Sequence, residues 1–305
     1  MARGLSQNQA SSLSLQAAHS LTFFMHSQPP HLNLIGCGRV GQTLARLWHD
    51  AGMVRVAGLY SKNPASAQAA ALFVGAGEVC PRLQALPEAE LWLIATPDTA
   101  IAEVAQQLAT AHANRQPGLA LHCSGFLSSA VLEPLRAQGW HAASAHPVRS
   151  FAEPALAVQG FKGTPVALEG DAPACDAARQ LFEAVGARCF DIEAASKPLY
   201  HAAAVFANNF STVLQGVAQD LWQHCGIAPD MARELDVALL ASTLANLQTQ
   251  TPTQALTGPA ARGDAAVVQA QGEAVAQWDA NAGELYALMS EMARTLKART
   301  PKPGA

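Results

Sequence analysis

The sequence predicts an α/β fold, a doubly wound parallel sheet followed by an all-α C-terminal domain, on three observations. From His31 onward, short apolar runs suited to buried strands alternate with helical patterns, as in a parallel sheet covered on both faces. A glycine pattern, "GCGRVG" at 36–41, stands directly between the first strand and the first helix. Beyond "EAASKP" (193–198) the strand pattern stops and only helical periodicity remains.

The elements follow in order. "LNLIG" (32–36), "VRVAGLY" (54–60), "LWLIATP" (91–97), "LALHCSG" (119–125), "GWHAASAHP" (139–147), "TPVALEG" (164–170) and "ARCFDI" (187–192) read as strands. "QTLARLWHDAG", "PASAQAAALFVGAG" and "TAIAEVAQQLA" read as intervening helices. Residues 199–226, 231–249, 264–279 and 281–298 keep helical period, parted by the loop signals "CGIAPD" and "LTGPAARGD". The expected organisation is a leader over 1–30, rich in Ser and Gln, a nucleotide-binding domain over 31–194, a helical domain over 195–298 and a tail over 299–305. Met25 is a second candidate start.

Composition narrows the partners. Of 305 residues, 50% are hydrophobic and 14% charged, against about 25% charged in an average soluble chain. Nineteen basic residues against 23 acidic ones, a net charge of −4 without blocks of one sign, give no footprint for nucleic acid or an anionic membrane. Six cysteines, none in a CxxC pair, signal neither a zinc site nor a disulfide framework and suit the cytoplasm. "LTFFM" (21–25) is too short for a membrane span or a signal peptide. A small molecule is the expected partner.

In "NLIGCGRVGQTLARLW", Gly36 permits a tight turn, Gly38 lets backbone approach a pyrophosphate, and Gly41 lets helix pack close to strand. Cys37, Arg39 and Val40 lie between them, and the helix start offers unpaired N–H groups to phosphate. This is a Rossmann-type signature. NAD sites of this type carry an acid about 20 residues on, for the ribose 2′-OH. Tyr60 stands 19 residues after Gly41, and no carboxylate occurs between Val54 and Ala67. Ser61, Lys62 and Asn63 can instead donate to a 2′-phosphate, so NADP is the expected cofactor. One charge-assisted bond from Lys62 contributes about 1.5–3 kcal/mol, roughly ten- to a hundredfold in affinity.

Ligands of such sheets sit beyond the carboxyl ends of the strands. There "TPD" offers Thr96 and Pro97 as cofactor wall and Asp98 as a helix cap. "LHCSG" offers Ser124, and "HPVRSF" offers His146, both as hydrogen-bond donors to a reducible bond. Arg149 is the candidate for a substrate carboxylate. His122 reads as a packed strand residue and Cys123 as inert core. On "SKPLYHAAAVFANNF", Lys197, His201 and Asn208 fall within about 40° on a helical wheel, with Lys197 and His201 about 6 Å apart along the axis.

The segments "IGCGRVG", "TPDTAI", "HCSG", "HPVRSF", "KPLYHAAAVFANNF" and "TGPAARGD", in that order, resemble the two-domain proteins that pair a Rossmann-like domain with the domain of unknown function 2520. The resemblance runs from about residue 31 to 298 and implies an NADP-dependent oxidoreductase, distantly similar to pyrroline-5-carboxylate reductases, ketopantoate reductases and β-hydroxyacid dehydrogenases. Lys197 matches the catalytic lysine of the last two groups, while His201 stands where they carry Asn. The resemblance also implies a homodimer through the helical domain, and a loop at 258–264 closing the crevice, where Arg262 meets substrate or cofactor and Asp264 caps the next helix. The expectation is therefore a cytoplasmic NADP(H)-dependent oxidoreductase acting on a C=O or C=N bond of a small, anionic substrate, with Lys197 or His201 donating the proton. The second expectation is a nucleotide-responsive sensor or interaction module without turnover.

Overall fold

The computed structural model describes residues 28–113 and 115–299. The expected leader and tail fall almost wholly outside the described residues. Eight strands form one sheet: β1 (His31–Ile35), β2 (Arg55–Tyr60), β3 (Glu78–Val79), β4 (Leu91–Ile94), β5 (Leu119–His122), β6 (His141–Pro147), β7 (Pro165–Gly170) and β8 (Arg188–Asp191). Their order is β3-β2-β1-β4-β5-β6-β7-β8. Growth starts at β1, runs outward through β2 and β3, then restarts at β4 on the other side. That reversal between β1 and β4 is where such sheets open a ligand crevice.

All seven strands read from the sequence are present, and two points need correction. β3 has two residues, too few for a period to show. β7 runs antiparallel to β6, pairing Pro147 with Val166 and Ala143 with Gly170. The connection after Pro147 holds one short helix, Pro154–Gln159, and brings the chain into β7 beside β6 in the opposite direction.

Period-two alternation puts successive side chains on opposite faces. Leu32 and Leu34 of β1, with Leu91 and Leu93 of β4, join a core containing Trp48, Phe161 and Phe182. Ile35, Trp92 and Ile94 join the other core with Ile101, Leu108 and Trp140. Helices Arg39–Asp50 and Ala172–Ala184 meet over the first face through Trp48 and Phe182, edge to face at 5.2 Å.

The chain divides into two compact units, to Asn208 and from Asn209. The first ends on the helix Lys197–Ala204 and most of a π-helical stretch, Val205–Phe210. That stretch overturns the uniform helical wheel. A π-helix turns less per residue than an α-helix, so a 100° step carried from Lys197 to Asn208 loses its register. The second unit holds helices Ser211–His224, Pro229–Thr249, Ala265–Trp278 and Ala280–Ala298. Gly283 lets the last two approach closely, since a Cβ there would meet the Ala276 Cβ at 2.6 Å. Buried Asp236 accepts a 2.7 Å bond from Gln219 Nε2. Among the described residues no helix is long and apolar enough to cross a membrane.

Candidate functional site

A cleft of about 400 Å3 opens at the carboxyl ends of β1, β2 and β4, at the reversal in strand order. Gly36, Gly38, Ser61, Lys62, Asn63 and Thr96 are among its lining residues, and Cys37 and Pro97 complete its agreement with the sequence expectation. Arg39, Val40 and Gly41 open the helix Arg39–Asp50 behind it.

The glycines differ in what they do. Gly36 has φ +91° and donates to the Tyr60 carbonyl at 2.9 Å, and a Cβ there would strike the Ala95 carbonyl carbon at 2.6 Å. Gly41 would strike the Gly36 carbonyl oxygen at 2.3 Å. Gly38 has φ −76°, and its Cβ would stand in open space with nothing within 4 Å. The first two are demanded by the fold. Gly38 is not, and its bareness keeps the backbone approachable, as a pyrophosphate requires.

Two further features fit a nucleotide. The Thr96 Oγ1, on the cleft wall, is buried with no hydrogen-bond partner. Lys62 is exposed, and its Nζ stands 3.4 Å from Glu103 Oε2, in a pairing that a surface setting makes weak. Glu103 was not legible because it lies on the helix Asp98–Ala111, far along the chain. Asn63 Oδ1 accepts from Ala65 N at 3.0 Å and caps the helix Pro64–Val74, so its amide NH2 is the half that can meet a ligand. Ser66, in the first turn of that helix, also lines the cleft and was missed.

A second cluster forms at the ends of β5 and β6. Ser124, His146, Lys197 and His201 come together, joined by Tyr200 and Gly125, which the sequence did not single out. Lys197 is 1% exposed and donates to the Ser124 carbonyl at 2.9 Å and to Ser144 Oγ at 2.5 Å. Burial pushes its ammonium below the usual lysine range, against the opposing pull of Glu169 and Asp98. His146 Nδ1 meets the Tyr200 hydroxyl at 2.8 Å, and the rings of His146 and His201 stand edge to face, 5.6 Å apart. Burial first, then the neighbouring His201 and Lys197, takes His146 down to about 4, so it is neutral at pH 7. Burial takes the Tyr200 phenol up to about 12. A Cβ on residue 125 would lie 2.4 Å from His201 Nδ1 and 2.8 Å from His146 Cε1 and Nε2. Glycine is therefore required for the two rings to close.

Ser124 is committed elsewhere. Its hydroxyl donates to Asp98 Oδ2 at 2.8 Å and accepts from Phe126 N at 3.1 Å and Leu127 N at 2.8 Å. A bond from Ser124 to a substrate would displace Asp98. Asp98 itself is the first helical residue rather than the cap, which is Pro97. The Asp98–Ser124 bond ties the cleft wall at Thr96 and Pro97 to the histidine cluster.

His122 is a packed strand residue, with Nδ1 accepting from Ser124 N at 3.2 Å, and burial holds it down at about 3. Burial takes the Cys123 thiol up to about 12, which removes the reactive thiolate. Arg149 donates to the Gly160 carbonyl and lies across that glycine, so its guanidinium is not presented as a carboxylate fork. Asn208 lies on the π-helical stretch. In the second unit Arg262 pairs with Asp264 at 3.0 Å, and that carboxylate makes no side-chain cap for the next helix. Among the described residues no group of three or more His, Cys, Asp or Glu side chains could hold a metal ion.

Residues 25–147 match the Rossmann-like domain model, and residues 164–293 match the domain of unknown function DUF2520. The chain is a two-domain protein, Rossmann-like first and DUF2520 second. No curated protein matches it. Among solved structures, a Bacteroides fragilis protein provisionally named an NADP oxidoreductase is 24% identical with TM-score 0.73, covering 88% of this chain and 98% of its own. A Thermotoga maritima protein is 27% identical with TM-score 0.68, over 87% and 98%. A Plasmodium falciparum pyrroline carboxylate reductase, solved with NADP bound, is 11% identical with TM-score 0.56, over 90% and 100%. These likenesses show a shared fold over most of this chain and nearly the whole of each relative.

Proposed function

We propose that this protein is an NADP(H)-dependent oxidoreductase acting on a C=O or C=N bond of a small substrate. The observation that carries the reading is the Asp98–Ser124 bond, which ties Asp98, between the cleft residues Pro97 and Thr99, to the strand end that holds Lys197. When bound, the dinucleotide would supply hydride. Gly36, Gly38 and the start of the helix Arg39–Asp50 would hold its pyrophosphate, and Ser61, Lys62 and the Asn63 amide its 2′-phosphate, with Lys62 leaving Glu103 to do so.

The chain's own residues do the rest. A reducible bond gains negative charge on its heteroatom, and the Lys197 ammonium, fixed by Ser124 and Ser144 in a buried setting, stabilises that charge without reorganising. With two of its hydrogens committed, Lys197 acts by its field, and the imidazole pair moves the proton. The reading gives Arg149 no part in anion binding. The Bacteroides and Plasmodium proteins named above, both linked to NADP, support the cofactor assignment.

The homodimer implied by the family resemblance is part of the same proposal. On helix Pro229–Thr249, Val237, Leu240, Leu244 and Leu247 are spaced three, four and three apart and are all exposed, Val237 at 60% and Leu244 at 59%. An apolar seam of that period fits a second helix.

The test is NADPH consumption, followed by absorbance, over panels of keto acids and cyclic imines. Steady consumption is expected with at least one class, and Lys197→Met should lower it at least tenfold with NADPH affinity nearly unchanged. Tight NADPH binding without consumption across the panel would favour the sensor reading and refute the enzyme.

A further inference from the structure

We infer that Tyr200 is a positioning residue that holds His146 in the Nε2–H tautomer, so that His146 presents a hydrogen-bond donor to the substrate's reacting heteroatom. Resting on the oxidoreductase reading for its use, the inference starts from the 2.8 Å contact between the Tyr200 hydroxyl and His146 Nδ1. A neutral imidazole has one N–H and one lone pair. The question is which partner donates. The phenol oxygen shares its lone pairs with the ring and is the better donor, whereas the imidazole lone pair is the better acceptor. The phenol also keeps its proton, because burial moves its ionisation up to about 12. Nδ1 therefore accepts, and the ring's own proton sits on Nε2.

The surroundings fix this arrangement. The ring planes of His146 and Tyr200 stand at 90°, and Phe190 meets the Tyr200 ring at 6.3 Å. The Cε1–Nε2 edge of His146 and Nδ1 of His201 both border the space where residue 125 lacks a side chain, and the two rings stand edge to face. The charged group acting on His146 is Lys197, whose ammonium disfavours a positive charge on that ring, while the Asp98 carboxylate is held by Ser124.

Two consequences follow for chemistry. The reacting heteroatom must carry a lone pair, so a carbonyl or a neutral imine fits and an iminium cation does not. The proton also has a balanced path. As the substrate carbon gains hydride, the heteroatom takes the Nε2 proton, Nδ1 takes the Tyr200 proton, and the phenolate left behind recovers a proton from water. A phenol ionising near 12 is a stronger acid than a neutral imidazole N–H, so refilling Nδ1 from Tyr200 makes proton delivery to the heteroatom more favourable.

The test reads the tautomer and needs no substrate. In full-length protein carrying 15N-histidine, long-range 1H–15N spectra at pH 7.5, with His146→Gln for assignment, should show His146 with Nε2 protonated and Nδ1 bare. In Tyr200→Phe, which removes one oxygen from a half-buried ring, the Nδ1 and Nε2 shifts should move toward a mixture of tautomers. A protonated Nδ1 in the wild-type protein, or an unchanged His146 pattern in Tyr200→Phe, would overturn the inference. The wild-type spectrum decides on its own should the variant fold poorly. NADPH binding, measured separately by calorimetry, bears on the oxidoreductase reading and leaves the tautomer result standing.

Discussion

Replacing Gly125 by Ala should damage the histidine pair while sparing the nucleotide cleft. The added Cβ would sit 2.4 Å from His201 Nδ1 and 2.8 Å from His146 Cε1 and Nε2, where ordinary contact begins at 3.4 Å. His201 would have to withdraw by about 1 Å, and His146 by somewhat less. His146 cannot yield freely, because Tyr200 holds its Nδ1. Overpacking of this kind costs ~1–3 kcal/mol. At roughly 2–4 °C per kcal/mol for a unit of this size, thermal unfolding followed by circular dichroism should fall by about 2–12 °C. Gly38→Ala is the matched control, since its Cβ meets nothing within 4 Å and its φ of −76° suits any residue. It should stay within about 0.5 kcal/mol of wild type while weakening nucleotide binding. Gly125→Ala unfolding at the wild-type temperature would refute the claim that the two rings close against residue 125.

Three other outcomes follow from the same contacts. His122 and His146 are held down at about 3 and about 4 in the folded chain, below the ordinary value near 6.5. The unfolded chain binds more protons below pH 6.5, so stability falls as pH drops, by about 2 kcal/mol per histidine between pH 6.5 and 5; a flat urea-unfolding profile over that window would contradict it. Asp98→Ala removes the acceptor for the Ser124 hydroxyl, which is 5% exposed, and should cost about 1 kcal/mol in urea unfolding, with no change expected only if water replaces the carboxylate. Val237→Glu with Leu244→Glu should shift the oligomeric state to monomer in sedimentation analysis, and an unaltered dimer would place the interface elsewhere.

Most of the sheet was legible because β1, β4 and β5 are short apolar runs whose alternate residues feed two cores. The glycine loop was legible because its three constraints are local to one turn. The reversed direction of β7 was not, since an apolar strand pattern carries no sign of the direction in which it pairs. Lys197 and His201 were found by helical spacing, whereas Tyr200 on the same helix was not singled out, because its partner His146 lies on another element. The role of Gly125 and the partner of Asp98 escaped likewise: His201 and Ser124 arrive there through tertiary folding and leave no mark in neighbouring residues. Arg149 looked available because nothing in "HPVRSF" points to the Gly160 carbonyl.

The central claim, that the cleft at Gly36–Gly41 takes a dinucleotide and Ser61–Asn63 select its 2′-phosphate, is tested most directly by calorimetric titration of the full chain with NADPH and NADH. Saturable heat with both, and an NADPH dissociation constant roughly ten- to a hundredfold lower, is the predicted result. No heat with either nucleotide at millimolar concentration, or tighter binding of NADH, would contradict it.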